Sequence, residues 1–336
     1  MRSRDTQKAF YYGEPTKVSS HSLTGTPGVE SWVRRGCMGL RAITEDLKAG
    51  LIHLRLHFSV VLLPLFLWGF LLTGRRPTSA FGLGLLIVHV FLYGGANAFN
   101  SYFDRDEGPI GGLYRPPPVS GGTLAVALFC KAAGLLLSLC LGWAFVGVYL
   151  AFVVLSVLYS HPRTRWKARP IRSVLTVAIG QGGLGFLAGW LCGRSLGEAL
   201  TTGRAWIGMA AAMLFTAGLY PVTQAYQVSE DARRGDRTFV VRYGLRGAFR
   251  LARVLLGLAG CLLVSVVAVS FTVYEAVGLA LYVGAGLYVL SRLERTLPRG
   301  SLRTNYRAVM GLVYGNGLIF TAYLAVRIGL GTNPFG

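Results

Sequence analysis

The sequence predicts an all-α, polytopic membrane protein with nine transmembrane helices, and three observations carry that prediction. Of 336 residues, 53% are hydrophobic and only 14% charged, whereas a soluble domain carries about 25% charged residues. Apolar stretches of about 20 residues, enough to cross a hydrocarbon core, recur along the chain. They are too long and too evenly apolar for barrel strands, so the backbone must satisfy its polar groups within helices.

Residues 1–50 form a separate N-terminal segment. Residues 1–30 are rich in Ser, Thr, Gly and charge, the composition of a disordered lead-in. Residues 31–50 mix Trp32, Leu40, Ile43 and Leu47 with Arg34, Arg35, Arg41 and Lys48. They suit either an amphipathic helix at the interface or a plain cytoplasmic lead-in. No early apolar region of a cleavable signal is present, so the first span is expected to direct insertion. The transmembrane domain then covers 51–330, with spans expected at 51–72, 79–99, 122–141, 143–160, 173–193, 204–224, 248–271, 274–291 and 308–328. Gly180, Gly182, Gly183, Gly185 and Gly189 crowd the fifth span. They allow close helix approach or, alternatively, room for a long apolar ligand.

A net charge of +20 raises the question of nucleic acid. The distribution argues against it, because the basic residues gather in alternate loops as membrane orientation requires. With the N-terminus inside, only Arg75, Arg76, Arg194, Arg204 and Arg327 fall outside, while Lys131 lies within a span. The N-terminus and all large polar loops are then cytoplasmic, and a bacterial inner membrane is the expected location. The five cysteines are scattered without metal-ligand spacing and read as packing residues. Neither a phosphate-binding P-loop nor a dinucleotide fingerprint occurs.

Two polar clusters close apolar runs. The first holds Asn100 and Asp104, four apart and so on one helix face, followed by Asp106 and Glu107. The second holds Gln224, Gln227, Glu230 and Asp231, with Gln227 and Asp231 again four apart. Acids at the mouth of a membrane helix need water, a cation or a partner. Facing each other, the two pairs would suit Mg²⁺, which takes oxygen ligands that include substrate phosphates. The prolines at 116–118 stiffen a turn that could aim Arg115 at an anion. The loop from Tyr159 to Pro170 is dense in basic residues that would attract phosphate, anionic lipid or simply fix topology. The chemistry this allows is ionisation of an allylic diphosphate, with metal and basic groups stabilising the leaving group. Tyr102, Phe103, Tyr159, Tyr220 and Tyr226 are candidate rings to shelter the cation.

At these residues the sequence resembles the UbiA superfamily of intramembrane prenyltransferases, over roughly residues 50–330. The resemblance implies a nine-helix bundle with two Asp-rich motifs binding Mg²⁺ and a prenyl diphosphate. The first motif is similar to Asn100, Asp104 and Gly108, where Gly108 stands at a usual acid position. Arg115-Pro116-Pro117-Pro118-Val119-Ser120-Gly121 resembles the element that follows. By the same likeness Arg165 and Lys167 would contact diphosphate. The second motif is similar to Gln227, Asp231 and Gly235-Asp236-Arg237-Thr238, with Gln227 in place of an acid and Asp236 in place of a base. The implied catalytic residues are Asn100, Asp104 and Asp231. Asn100, Asp104, Gln227 and Asp231 would hold metal, and Arg115, Arg165, Lys167 and Arg237 diphosphate. Asp106, Glu107, Glu230 and Asp236 are the acids that could restore the missing charge.

The expected activity is Mg²⁺-dependent transfer of a prenyl group to an aromatic, quinone-like or other lipophilic acceptor. Cyclisation of the prenyl chain on itself needs the same ionising site. A transporter or lipid-binding protein is the non-enzymatic alternative, and it would carry its charges near the midplane or open to both sides.

Overall fold

The computed structural model describes residues 44–330. The expectations for residues 1–43, including most of the interfacial-helix reading, lie outside the described residues. Nine helices long and apolar enough to cross a membrane are present among the described residues. They are α1 (Thr44–Leu71), α2 (Ser79–Asp104), α3 (Gly121–Leu141), α4 (Trp143–Ser160), α5 (Pro170–Leu191), α6 (Gly203–Thr223), α7 (Phe239–Ser270), α8 (Val273–Arg299) and α9 (Leu302–Leu330). The chain is therefore an all-α, multi-pass membrane protein, as the sequence predicts. Large apolar side chains such as Leu136, Leu281 and Val269 remain exposed on the outside of the bundle, where lipid is the solvent.

Several boundaries differ from expectation, each for a local reason. α2 continues beyond 99 to Asp104, so Asn100 and Asp104 share the face of its last turns as their spacing requires. α7 starts at Phe239, but Gly244 breaks it with φ 69° and ψ 172°. The unbroken helix therefore starts close to the expected 248. The expected loop 292–307 shrinks to Gly300 and Ser301 between α8 and α9. Asn305 closes that corner by donating from Nδ2 to Leu297 O at 2.9 Å.

The fifth-span glycines serve chiefly as contact points. A Cβ at Gly69 would lie 2.0 Å from Phe186 O, and one at Gly189 would lie 2.0 Å from Phe66 O. α1 and α5 thus meet backbone to backbone, which only glycine permits at these two crossings. Around this seam lies the larger core, including Phe66, Phe70, Phe186 and Trp190. A second core gathers Val222, Tyr226, Phe249, Tyr306 and Val309 nearer the polar loops. Lys131, inside α3, donates to Ser156 Oγ at 2.6 Å and lies over the Phe99 ring at 4.9 Å. Those contacts satisfy a charge that apolar packing alone would leave costly.

Two helices widen to π pitch. α2 is π-helical over Ile87–Gly94 and α5 over Ala178–Leu184. The wider turns rotate the residues that follow and are frequent beside functional sites. Tyr93 OH donates to Gln181 O at 3.4 Å, joining the two π segments.

Candidate active site

A chamber of about 240 Å³ opens among these helices. Asn100, Asp104, Asp106, Gln227, Asp231 and Asp236 line its polar end, and Lys167 and Arg55 lie with them. Apolar and aromatic side chains, Phe58, Phe152 and Phe215 among them, line the rest. Asp104 and Asp231 therefore face one cavity.

The polar end is clamped by contacts between three loops. Lys167 Nζ pairs with Asp104, and both side chains are nearly buried. Asn100 Nδ2 donates to Ser160 Oγ at 3.2 Å, fixing α2 to the end of α4. Arg165 grips Asp236 through Nε and Nη2, each at 2.9 Å. Arg234 pairs with both Asp106 and Glu230. Gln227 Nε2 donates to Pro109 O at 3.0 Å. Tyr159 and Tyr220 share a hydroxyl contact of 2.7 Å on the chamber wall.

Arg55, Arg105 and Arg165 have φ of 50°, 50° and 40°. A left-handed conformation costs a residue with a Cβ about 1–2 kcal/mol, so surrounding contacts must hold these turns. Arg55 is a chamber residue that sequence reasoning misses. It is buried, with Nη2 donating to Asn97 O and Oδ1 at 3.2 Å and Nη1 to Gly111 O at 3.3 Å. An arginine just inside an apolar run was the available signal.

Other expected residues do not reach the chamber. Arg115 is exposed on the proline turn and absent from the lining. The Arg237 side chain is exposed as well, and the backbone makes the contact, its N–H donating to Ala168 O at 3.1 Å. Arg165 supports the chamber through Asp236 without lining it. Glu107 is exposed. Glu230 instead accepts from the N–H groups of Glu107 and Gly108 at 3.3 and 3.4 Å. A Cβ at Gly108 would lie 2.4 Å from Glu230 Oε2, so the glycine at the usual acid position is where Glu230 docks. Of the four compensating acids, Asp106 and Asp236 line the chamber and the other two do not. Tyr102 and Phe103 also lie outside, Phe103 packing on Phe99 and His161.

Asp231 has no ion-pair partner among the described residues and accepts from Thr238 Oγ1 at 3.2 Å. Burial pushes its carboxyl up to about 6, against the opposing Thr238 bond and Lys167, with Asp236 and Asp106 adding to the rise. A carboxyl raised on folding stabilises the fold below its ordinary value of about 4 and loses that contribution as pH rises through about 6. The metal-free chain should therefore lose thermal stability between pH 4 and 7, and Asp231→Asn should flatten that decline. An unchanged slope in the variant, by thermal melts in detergent, would locate the proton elsewhere.

No three His, Cys, Asp or Glu side chains converge as a preformed metal site among the described residues. The donors present are carboxylate and amide oxygens gathered around one acid that lacks a cation. That chemistry suits a hard divalent ion completed by water and by a ligand's own oxygens.

A membrane bundle with acids and amides at one end of an apolar chamber is built to hold a charged head and a lipophilic tail. The model of the UbiA prenyltransferase family matches residues 62–324, and the chain belongs to that family. Among solved structures it is similar to a UbiA homolog from Archaeoglobus fulgidus bound to GPP and Mg²⁺, at 19% identity and TM-score 0.64, covering 84% of this chain and 99% of that one. A second is the apo structure of a UbiA homolog from Aeropyrum pernix K1, at 20% identity and TM-score 0.57, covering 79% and 98%. A third is digeranylgeranylglyceryl phosphate synthase, at 17% identity and TM-score 0.57, covering 87% and 99%. At these identities the likeness is one of fold. A search of curated proteins returned no match.

Proposed function

We propose that this chain is a Mg²⁺-dependent prenyltransferase that moves the prenyl group of a prenyl diphosphate onto an aromatic, quinone-like or other lipophilic acceptor. The observation that carries the reading is the convergence of Asn100, Asp104, Asp106, Gln227, Asp231 and Asp236 on one chamber whose remaining wall is largely apolar. The Archaeoglobus homolog's structures with GPP or DMAPP and Mg²⁺ support it.

Asn100, Asp104, Gln227 and Asp231 are the residues that would hold Mg²⁺, with Asp106 and Asp236 beside them. Bound there, the ion would neutralise charge on the departing diphosphate. Lys167 and Arg55 bring positive charge to the same end, where fixed donors stabilise a leaving anion without reorganising. Arg165 and Arg234 hold Asp236 and Asp106 in place. The rings of Phe152, Phe215, Tyr159 and Tyr220 exclude water and present faces to an allylic cation. The polar loops lie on the cytoplasmic side, since the basic residues gather there, and a bacterial inner membrane fits that arrangement.

Without a preformed cluster, metal and diphosphate should bind cooperatively. In nanodiscs, Mg²⁺ alone should bind weakly, and a prenyl diphosphate should tighten it at least tenfold, with the reciprocal effect of equal size. The activity test is incubation with a prenyl diphosphate, Mg²⁺ and an acceptor panel, products being read by mass spectrometry. A prenylated acceptor is the expected product. Hydrocarbon or terpene alcohol formed without acceptor, above a no-enzyme control, would replace transfer by cyclisation. Absence of any diphosphate release across chain lengths and acceptors would reject the enzyme.

A further inference from the structure

Lys131 is a buried charge within a spanning helix, away from the acids. It stands inside α3 and is 8% exposed. An ionisable side chain at such a place is costly, and residues of this kind pair with one another or mark the path of a polar ligand. Lys131 Nζ donates to Ser156 Oγ at 2.6 Å and lies over the Phe99 ring at 4.9 Å. Among the described residues no carboxylate pairs with it.

Ser156 carries that charge to the chamber. It lines the chamber from α4, one turn from Ser160, which accepts from Asn100, and one turn the other way from Phe152 on the apolar wall. It therefore marks the level just below the acids, where the carbon leaving a diphosphate meets its acceptor. Lys167 and Arg55 already bring positive charge to the diphosphate end. The Ser156 hydroxyl donates to Val153 O of its own helix at 2.8 Å. Back-bonds of this kind are local and compete with other partners, so the proton is free to turn into the chamber while Lys131 keeps a lone pair. A hydroxyl polarised by an ammonium donates best to an oxygen that bears negative charge.

We propose that Ser156, polarised by Lys131, is a specificity-determining donor that holds the oxygen of the acceptor in its ionised form, so that acceptors with an acidic hydroxyl, phenols or enols, are preferred. This rests on the prenyl diphosphate reading above. Ser156 touches the acceptor, and Lys131 is a positioning residue that acts through it. The hydroxyl proton passes to water as the acceptor binds, and the oxyanion enriches the carbon beside it in electrons. That carbon forms a bond to C1 of the prenyl group as the C1–O bond breaks. The electron pair leaves with diphosphate, which also takes the proton displaced from the attacked carbon.

The test uses a para-nitrophenol bearing an alkyl chain, whose phenolate is read by its visible absorbance. It is added to the full chain in nanodiscs with Mg²⁺ and a non-hydrolysable prenyl thiolodiphosphate. Bound to the parent, the probe should ionise about tenfold more readily than in empty nanodiscs, the effect of a nearby cation. Lys131→Met, which keeps the stem and removes the charge, should abolish that gain, and Lys131→Arg should keep part of it. Ser156→Ala should also lose most of it, and keeps the test decisive should Lys131→Met misfold. The methyl ether of the probe, which cannot ionise, should bind the parent and Lys131→Met alike. Equal ionisation in the parent and in either Lys131→Met or Ser156→Ala overturns the proposal. So does a Lys131→Met that weakens the thiolodiphosphate and leaves the phenolate unmoved, since the oxyanion would then be the diphosphate's own. If no thiolodiphosphate binds the parent, the chamber reading itself fails; if it binds while the probe ionises as in empty nanodiscs, only this inference does.

Discussion

Asp104→Asn should lower prenyl transfer by about 10²- to 10³-fold, the loss expected when one fixed charge is removed from a reacting centre, while the bundle stays folded. Asp104 ends α2 and faces the chamber with Lys167 Nζ against it. Asparagine keeps the shape and one oxygen for the ammonium, but it removes the charge that would hold the metal. Alanine removes both and strands a buried ammonium, a change that costs about 3–5 kcal/mol. The two variants therefore separate chemistry from stability: Asn should fail in single-turnover rate with a near-parental melting temperature, and Ala should fail in both. Glu107→Gln is the control, because that side chain is exposed and away from the chamber. Transfer by Asp104→Asn within tenfold of the parent would take Asp104 out of the reaction.

The sequence made the spans and the facing acids legible because both follow from simple periodicities. Apolar runs set the helices, and the two i,i+4 pairs placed Asn100 with Asp104 and Gln227 with Asp231 on the chamber lining. Where the reading went astray, the cause was side-chain direction in loops. Arg115 and Arg237 have the right charge near the right motif, yet nothing in spacing reveals that one points to solvent and the other contributes its backbone. Glu230 had the chemistry of a compensating acid, but its role depends on Gly108 in a different loop, a pairing visible only in three dimensions. The π turn of α2 contains no proline and leaves no clear mark in composition, and that of α5 falls on Gly180, Gly182 and Gly183, which close packing explains equally well. The expected loop at 292–307 is mostly helix, because a helix extending out of the membrane carries its arginines readily. Arg55 carries no mark in the sequence beyond its charge, since its burial and left-handed backbone depend on acceptors from Asn97 and Gly111.

Arg55→Ala should destabilise the free chain by on the order of 3 kcal/mol, the worth of one or two charged hydrogen bonds, and weaken prenyl diphosphate binding as well. The guanidinium ties the bend of α1 to α2 and to the first acidic loop, and it lines the chamber at the same time. Lysine is no substitute, since a single ammonium cannot span the fork that reaches Asn97 and Gly111 together. Arg55→Lys should therefore keep part of the affinity, through its charge, and little of the stability. The backbone adds a separate signature. Because Arg55 has φ of 50°, glycine relieves a strain that alanine retains, and Arg55→Gly should be more stable than Arg55→Ala by about 1 kcal/mol. That order is the reverse of the one found in an ordinary helix interior, where glycine is the worse residue. Chemical denaturation of the three variants in detergent measures it. Alanine more stable than glycine would mean that the bend at Arg55 is not part of the folded chain, and the chamber would then lose the group that joins its first helix to its acids.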